Sequence, residues 1–416
     1  MSLSNIASNL FSKGGKAQVL SQNDNDVVIV AAVRSAITKG MKGGFKDTRP
    51  EEYLSVILGA VWKKAGIDPA LIEDIAVGNV LPPGGGALTA RMAALAAGIP
   101  DSVPISSLNR QCSSGLQAVN TIAGEIASGQ IDIGIGAGVE SMTFGFFSSS
   151  SQPEAISEKV LAVPKAQECL LPMGITSENV SKDFGITRQA QDEFAAKSFV
   201  KAAVAQKQGK FKNEIIPITV KFVDPKTKNE SEIVVDKDDG IRDGVTAQSL
   251  SKLKPSFAED GFSHAGNSSQ VSDAAAAVLL ARRSVAKKLG LRILGKFVGA
   301  SVVGVPPRIM GVGPAYAIPK LLEKHGITKD DVDFYEINEA FASQALYSID
   351  KIGIPHEKVN PWGGGIAIGH PLGCTGARQI VTGLSIAKDT NKKIFVTSMC
   401  IGTGMGMAAL FVSEQN

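Results

Sequence analysis

Short runs of uninterrupted apolar residues alternate along this chain with longer helical patterns. The run Val27-Val28-Ile29-Val30-Ala31-Ala32 has no polar break and reads as a strand buried on both faces. A helix follows from Pro50, where a proline suits the first turn and Glu51 and Glu52 suit the positive end of the dipole. Residues 75–80 read as a short strand, 87–97 as a helix closed by Gly98 and Pro100, and 105–109 as a strand. That strand runs directly into Arg110-Gln111-Cys112-Ser113-Ser114-Gly115, after which 116–128 is helical and 131–139 apolar again. Strands interleaved with helices imply an α/β fold with parallel pairing and covered sheet faces.

At 416 residues the chain exceeds the size of a single hydrophobic core. Residues 1–25 are rich in Ser, Asn and Gln and read as a flexible leader. A first α/β half spans 26–145 and is completed by about 263–292; a second spans 293–416. Between them, 146–262 reads as an inserted lobe or lid, with a serine run at 148–151 and a helical pattern carrying Phe194, Phe199 and Ala203. The halves share an echo: Gln111-Cys112-Ser113-Ser114-Gly115-Leu116-Gln117 resembles Gly373-Cys374-Thr375-Gly376-Ala377-Arg378-Gln379, as a duplicated unit would leave.

Composition excludes several functions. Net charge is +3 with dispersed basic residues and only 6% aromatics, so neither a basic stripe nor a stacking platform for nucleic acid is present. The four cysteines form no C-x-x-C pair, which argues against a structural zinc site, and reduced thiols suit the cytoplasm, mitochondrion or peroxisome. Apolar stretches break before about 18 residues, so no membrane span is expected, and no secretory signal pattern opens the chain.

Four positions carry possible chemistry. Cys112 sits where a strand meets a helix, so free N–H groups and the dipole would favour its thiolate. His370, in Gly369-His370-Pro371, is held on a stiff turn and could act as base or oxyanion donor. Cys400 opens the glycine-rich Gly402-Thr403-Gly404 loop, whose N–H groups could form an oxyanion hole. Asn338 ends a strand, where it could cap a helix or orient a water. Taken singly, each has an ordinary structural explanation: a core cysteine, a loop histidine, a β-turn, a cap. Together they lie at strand ends, where open α/β sheets place function.

With these residues in view, the chain closely resembles the thiolases, most closely their peroxisomal 3-ketoacyl-CoA branch. The matching segments are 109–115, Gly138-Val139-Glu140-Ser141-Met142, Pro172-Met173-Gly174-Ile175-Thr176, Val305-Pro306-Pro307, 311–319, 336–341, 369–378 and 398–406. The resemblance implies a layered α/β/α/β/α fold of two duplicated βαβαβ halves with an inserted loop domain. It also implies a 3-ketoacyl-CoA thiolase of fatty acid β-oxidation, with coenzyme A as co-substrate and neither metal nor other cofactor. Cys112, activated by His370, would take the acyl group, and Cys400 would move protons. One oxyanion site would comprise His370 and a water held by Asn338; the other, the N–H groups of Cys112 and Gly402. Ser269, Met173 and His264 would contact substrate or CoA. Family members are homodimers or homotetramers.

The chain departs from the family in places. Trp362 stands where relatives carry a smaller residue, and would reshape the acyl pocket or pack on the surface. Ser2 to Leu10 keeps the spacing of a peroxisomal import motif but changes both key polar positions, so engagement of an import receptor is an open expectation. Rival readings are a biosynthetic acetoacetyl-CoA thiolase, a decarboxylating ketosynthase and an inactive lipid-binding paralogue.

Overall fold

The computed structural model describes residues 14–146 and 156–415. The import-like stretch Ser2 to Leu10 and the serine run at 148–151 lie outside the described residues.

The strands are β1 (Val27–Arg34), β2 (Thr38–Lys39), β3 (Asp74–Gly78), β4 (Ile105–Leu108), β5 (Ile133–Ser141), β6 (Ile218–Val223), β7 (Glu230–Val235), β8 (Ser272–Arg282), β9 (Gly295–Gly304), β10 (Phe334–Ile337), β11 (Ile394–Ile401) and β12 (Met405–Ser413). Ten of them form one continuous sheet in the order β10-β11-β12-β9-β1-β8-β5-β3-β4, with β2 added on β8; β6 and β7 pair separately. The pairing is mixed, not parallel as strand–helix alternation predicts. β3 runs parallel to β4 and β5, and β10 to β11. β8 is antiparallel to both β1 and β5, and β12 to both β11 and β9. A parallel pair needs a crossover, and the Gly402-Thr403-Gly404 turn between β11 and β12 is far too short for one.

The principal helices are α1 (Gly15–Leu20), α2 (Pro50–Ala65), α3 (Ala87–Ala96), α4 (Ser114–Ser128), α5 (Met173–Phe184), α6 (Arg188–Lys207), α7 (Gly313–Lys324), α8 (Ala342–Ile352) and α9 (Thr375–Thr390). α2 starts as its sequence predicts, with Pro50 in the first turn and the Glu52 carboxylate accepting the Arg49 N–H, and stops at Gly66 in the left-handed region. α2 lies on β8, β1 and β5, while α7 lies on β12, β9 and β11. Between the two halves of the sheet lie α4, against β5 and β3, and α9, which touches strands of both halves. The result is five layers, α/β/α/β/α. α9 is buried on nearly every side, as a central helix must be.

α4 and α9 cross at glycines. A Cβ at Gly376 would stand 2.3 Å from the Leu116 nitrogen, and one at Gly115 would stand 2.6 Å from the Gly373 carbonyl oxygen. Only bare backbones fit at this crossing, and it presses the Cys112 turn against the His370 loop.

Two expectations change. The described part of the leader packs on the body: Val19 of α1 is buried in a cluster with Ile318, Leu321 and Leu322, and Gln22 bonds Glu414 at 2.9 Å. Nor is the insertion merely a lid. Its α6 contributes Ala195, Phe199 and Ala202 to the main core, because small side chains let it dock closely. A buried fork ties the insertion to β1, with Arg34 bonding Asp238 at 2.7 and 2.8 Å and Glu214 at 2.7 Å.

Candidate active site

Cys112 lies in the turn between β4 and α4. Gln111 takes φ 47°, its N–H donating to Asn109 Oδ1 at 2.8 Å, and the Arg110 N–H donates to Ser114 Oγ at 2.9 Å. α4 begins at Ser114 with Ser113 as its cap, so Cys112 precedes the first turn. This corrects the expectation of a dipole-stabilised thiolate. The thiol is buried, and burial pushes it up to about 11; hydrogen bonds from the Gly402 N–H and its own N–H offset this only in part. At neutral pH Cys112 is a thiol and needs a base.

Cys400, near the end of β11, is fully buried and clusters with Met310, Ala340 and Phe341. Burial raises its thiol well above the ordinary range, and the nearby Cys112 raises it further. The following turn places Thr403 at φ 68° and Gly404 at φ 93°, which brings the Gly402 N–H to Cys112. Thus β11 of the second half meets the Cys112 turn of the first.

His370 sits on the loop before α9, with Gly369 at φ 115°. Its Nδ1 lies 2.6 Å from Thr375 Oγ1, while Nε2 is buried without a hydrogen-bond partner. No hydrogen bond therefore joins Cys112 and His370. Burial, aided by the positive charge of Arg378, lowers the imidazole to about 3, so it is neutral. Glu140 holds this loop in place. Its carboxylate accepts the N–H of Gly373 at 2.9 Å, of Val80 at 3.2 Å and of Leu81 at 3.3 Å. Burial raises Glu140 to about 7 against those donors.

Asn338 follows β10. Its N–H donates to the Ser398 carbonyl at 2.8 Å and its own carbonyl accepts Gln344 Nε2 at 2.7 Å. It caps no helix, since α8 starts at Ala342. Both side-chain polar atoms are buried and unpartnered.

The rim is apolar. Met173 opens α5, and its Sδ lies 3.7 Å from where a Gly402 Cβ would stand. Phe257 meets Phe341 edge to face with ring centroids 6.0 Å apart. Ser269 is half-buried, and its N–H donates to the Ala340 carbonyl at 2.9 Å, beside the Cys400 cluster. His264 does not belong to this rim. It is fully buried, with Nδ1 accepting the Gly266 N–H at 3.0 Å and Nε2 facing Asp192 Oδ1 at 2.7 Å. A side chain so enclosed holds a loop and cannot reach CoA. Trp362 is buried too, packed edge to face on Phe211 at 5.7 Å, so its place is the core and not the surface.

Sequence reasoning assigns no role to Glu140, Thr375 or Phe257. Glu140 lies in a quoted motif and Thr375 in the internal echo, but their partners are remote or depend on a side-chain rotation. Among the described residues, no group of three or more His, Cys, Asp or Glu could hold a metal ion.

Comparison with known proteins accords with this geometry. Residues 27–284 match the family model "Thiolase, N-terminal domain", and 291–413 match "Thiolase, C-terminal domain". The peroxisomal 3-ketoacyl-CoA thiolase of Yarrowia lipolytica is 58% identical over 414 residues, 99% of each chain. The crystal structure of the dimeric peroxisomal thiolase of Saccharomyces cerevisiae superposes with a TM-score of 0.89 at 52% identity, covering 96% of this chain and all of that one. The acetyl-CoA acetyltransferase of Bacillus anthracis shares the fold at a TM-score of 0.84 but only 38% identity, over 93% of this chain and 98% of its own. Two matched domains meeting at a pair of buried cysteines, with full-length relatives above half identity, leave one assignment: this chain belongs to the thiolase family.

Proposed function

We propose that this protein is a 3-ketoacyl-CoA thiolase of fatty acid β-oxidation, cleaving 3-ketoacyl-CoA with CoA into acetyl-CoA and an acyl-CoA two carbons shorter. The observation that carries the reading is the packing of the Gly402 loop on the Cys112 turn, where a Cβ at Gly402 would stand 3.7 Å from Gln111 Cγ, with Cys400 near enough for Cys112 to raise its thiol; these groups come from opposite halves of the chain.

The chemistry follows from the protonation states. Cys112 gives its proton to His370 Nε2 as its sulfur attacks the 3-keto carbon. The resulting alkoxide is stabilised by the N–H groups of Cys112 and Gly402, the two donors that also offset the raised Cys112 thiol. The bond between C2 and C3 then breaks. Its electrons form the acetyl-CoA enolate, whose oxygen accepts from His370 Nε2–H and from a water on Asn338. Cys400 protonates C2, acetyl-CoA leaves, and an acyl-Cys112 thioester and a Cys400 thiolate remain. Incoming CoA gives its thiol proton to Cys400, and its sulfur attacks the acyl carbon. Cys112 leaves and recovers its proton from His370. CoA is thus a co-substrate; Met173, Phe257, Phe341 and Ser269 would line its path.

The purified protein should thiolyse acetoacetyl-CoA and longer 3-ketoacyl-CoAs, each giving acetyl-CoA and the shortened acyl-CoA by mass spectrometry. Absence of both products across all chain lengths would reject the reading. The chain works in the peroxisome, as the thiolases of Yarrowia lipolytica and Saccharomyces cerevisiae named above do; a fluorescently tagged chain spread through the cytosol would contradict this.

A homodimer completes the molecule. Among the described residues, β4 ends the sheet and pairs only with β3. α3, which packs against β4, exposes Leu88, Met92 and Leu95 at 74%, 55% and 45%, an apolar stripe at helical spacing. An unpaired edge beside such a stripe fits a second copy of the same chain. Sedimentation should give the dimer mass for wild type, and the double variant Leu88→Glu, Met92→Glu should run as a monomer. A monomeric wild type at micromolar concentration would refute it.

A further inference from the structure

The hydroxyl of Thr375 has two neighbours. His370 Nδ1 lies 2.6 Å away and the Pro371 carbonyl oxygen 2.8 Å away. Thr375 and His370 are both buried, so no bulk water substitutes for either contact. A threonine hydroxyl has a single proton, which can serve only one neighbour. Were that proton given to Nδ1, two acceptor oxygens would face each other at 2.8 Å with no hydrogen between them. Were it given to the Pro371 oxygen, Thr375 Oγ1 would present a lone pair to Nδ1, and a proton on Nδ1 would satisfy all three groups. Only the second arrangement leaves no repulsive contact.

We propose that Thr375 is a positioning residue that fixes the tautomer of His370, keeping the proton on Nδ1 and leaving Nε2 as the free base for the Cys112 thiol. The proposal rests on the reading of His370 as the base for Cys112. The relay runs from Nδ1–H to Oγ1–H to the Pro371 carbonyl and is anchored in the first turn of α9, so the ring is held in angle as well as in protonation. The unpartnered Nε2 is then the one ring atom able to accept a proton. When it takes the Cys112 proton, the same hydroxyl continues to accept from Nδ1–H, so the imidazolium forms without any partner rearranging. Nε2–H is thereby converted into the enolate donor.

The test does not depend on activity alone. The chain has only four histidines, so ring nitrogens can be assigned in protein labelled with 15N-histidine by comparison with His370→Ala. Wild type should show His370 with a protonated Nδ1 and a pyridine-like Nε2. The opposite tautomer in wild type would overturn the proposal even if His370 proves essential. Conversely, a His370→Ala protein with normal turnover would reject the parent reading and leave the tautomer assignment standing. Thr375→Val should lower kcat about 10- to 100-fold with KM changed less than about threefold, the pattern of a misdirected base. Thr375→Ser, which keeps the hydroxyl, should restore kcat to within about threefold of wild type. Wild-type turnover by Thr375→Val, or equal losses in the Val and Ser variants, would overturn the proposal.

Discussion

Cys112→Ala should abolish thiolysis, lowering kcat by about 10⁴-fold or more while leaving the fold intact. The residue is buried in a turn, and removing one sulfur there costs little packing. What disappears is the atom that forms the acyl-enzyme, and no neighbour can replace it. Cys400, clustered with Met310, Ala340 and Phe341, is taken up with proton transfer at C2, and Cys374 is fully buried at the start of α9. Labelled acetyl-CoA sharpens the test. Wild type should retain the acetyl group on the protein, Cys400→Ala should acquire it more slowly, and Cys112→Ala should acquire none. Thiolysis by Cys112→Ala above about one thousandth of wild type would mean that another group carries the acyl chain.

Gly376→Ala should destabilise the protein by about 3 kcal/mol, because the new methyl must enter a crossing with no spare volume. The atoms it meets are the Leu116 nitrogen at 2.3 Å and the Leu116 Cα at 2.9 Å. These belong to the backbone of α4, so no side-chain rotation relieves the clash and the central helices must separate. Activity should fall with stability, since the crossing sets the Cys112 turn against the His370 loop. A matched control exists on α4 itself. A Cβ at Gly124 meets nothing within 4 Å. Gly124→Ala should therefore stabilise by about 0.5–1 kcal/mol through helix propensity alone. Denaturant midpoints for the two variants should move in opposite directions. Equal shifts would show that helix propensity, not the crossing, governs both sites.

Much of the site is legible before folding is considered. Cys112, Cys400 and Asn338 stand beside strand ends as the sequence pattern suggests, while His370 stands on a loop between two helices, and it is the resemblance to the thiolases that joins the four. His264 misleads because the same signal, a histidine before a glycine-containing loop, also describes a buried hydrogen-bonding post. Asp192, the partner that decides between the two, lies on α6 far along the chain. Trp362 misleads for a related reason: a large residue near a catalytic loop can face either way, and the ring of Phe211 settles it. The expected Cys112 thiolate fails on magnitude, since desolvation of a buried sulfur outweighs the stabilisation from two N–H groups.

The order of residues by itself determined the alternating elements, the duplicated Cys-containing helix starts and the chemical repertoire of two thiols, an imidazole and an amide. These follow from local pattern and side-chain type, which the chain carries in any conformation. Tertiary structure alone decided the antiparallel entry of β8, the docking of the leader on α7, the neutral state of both thiols and the Thr375–His370 relay. Each depends on burial, or on the hydrogen positions that burial forces, and burial exists only once distant segments have packed together.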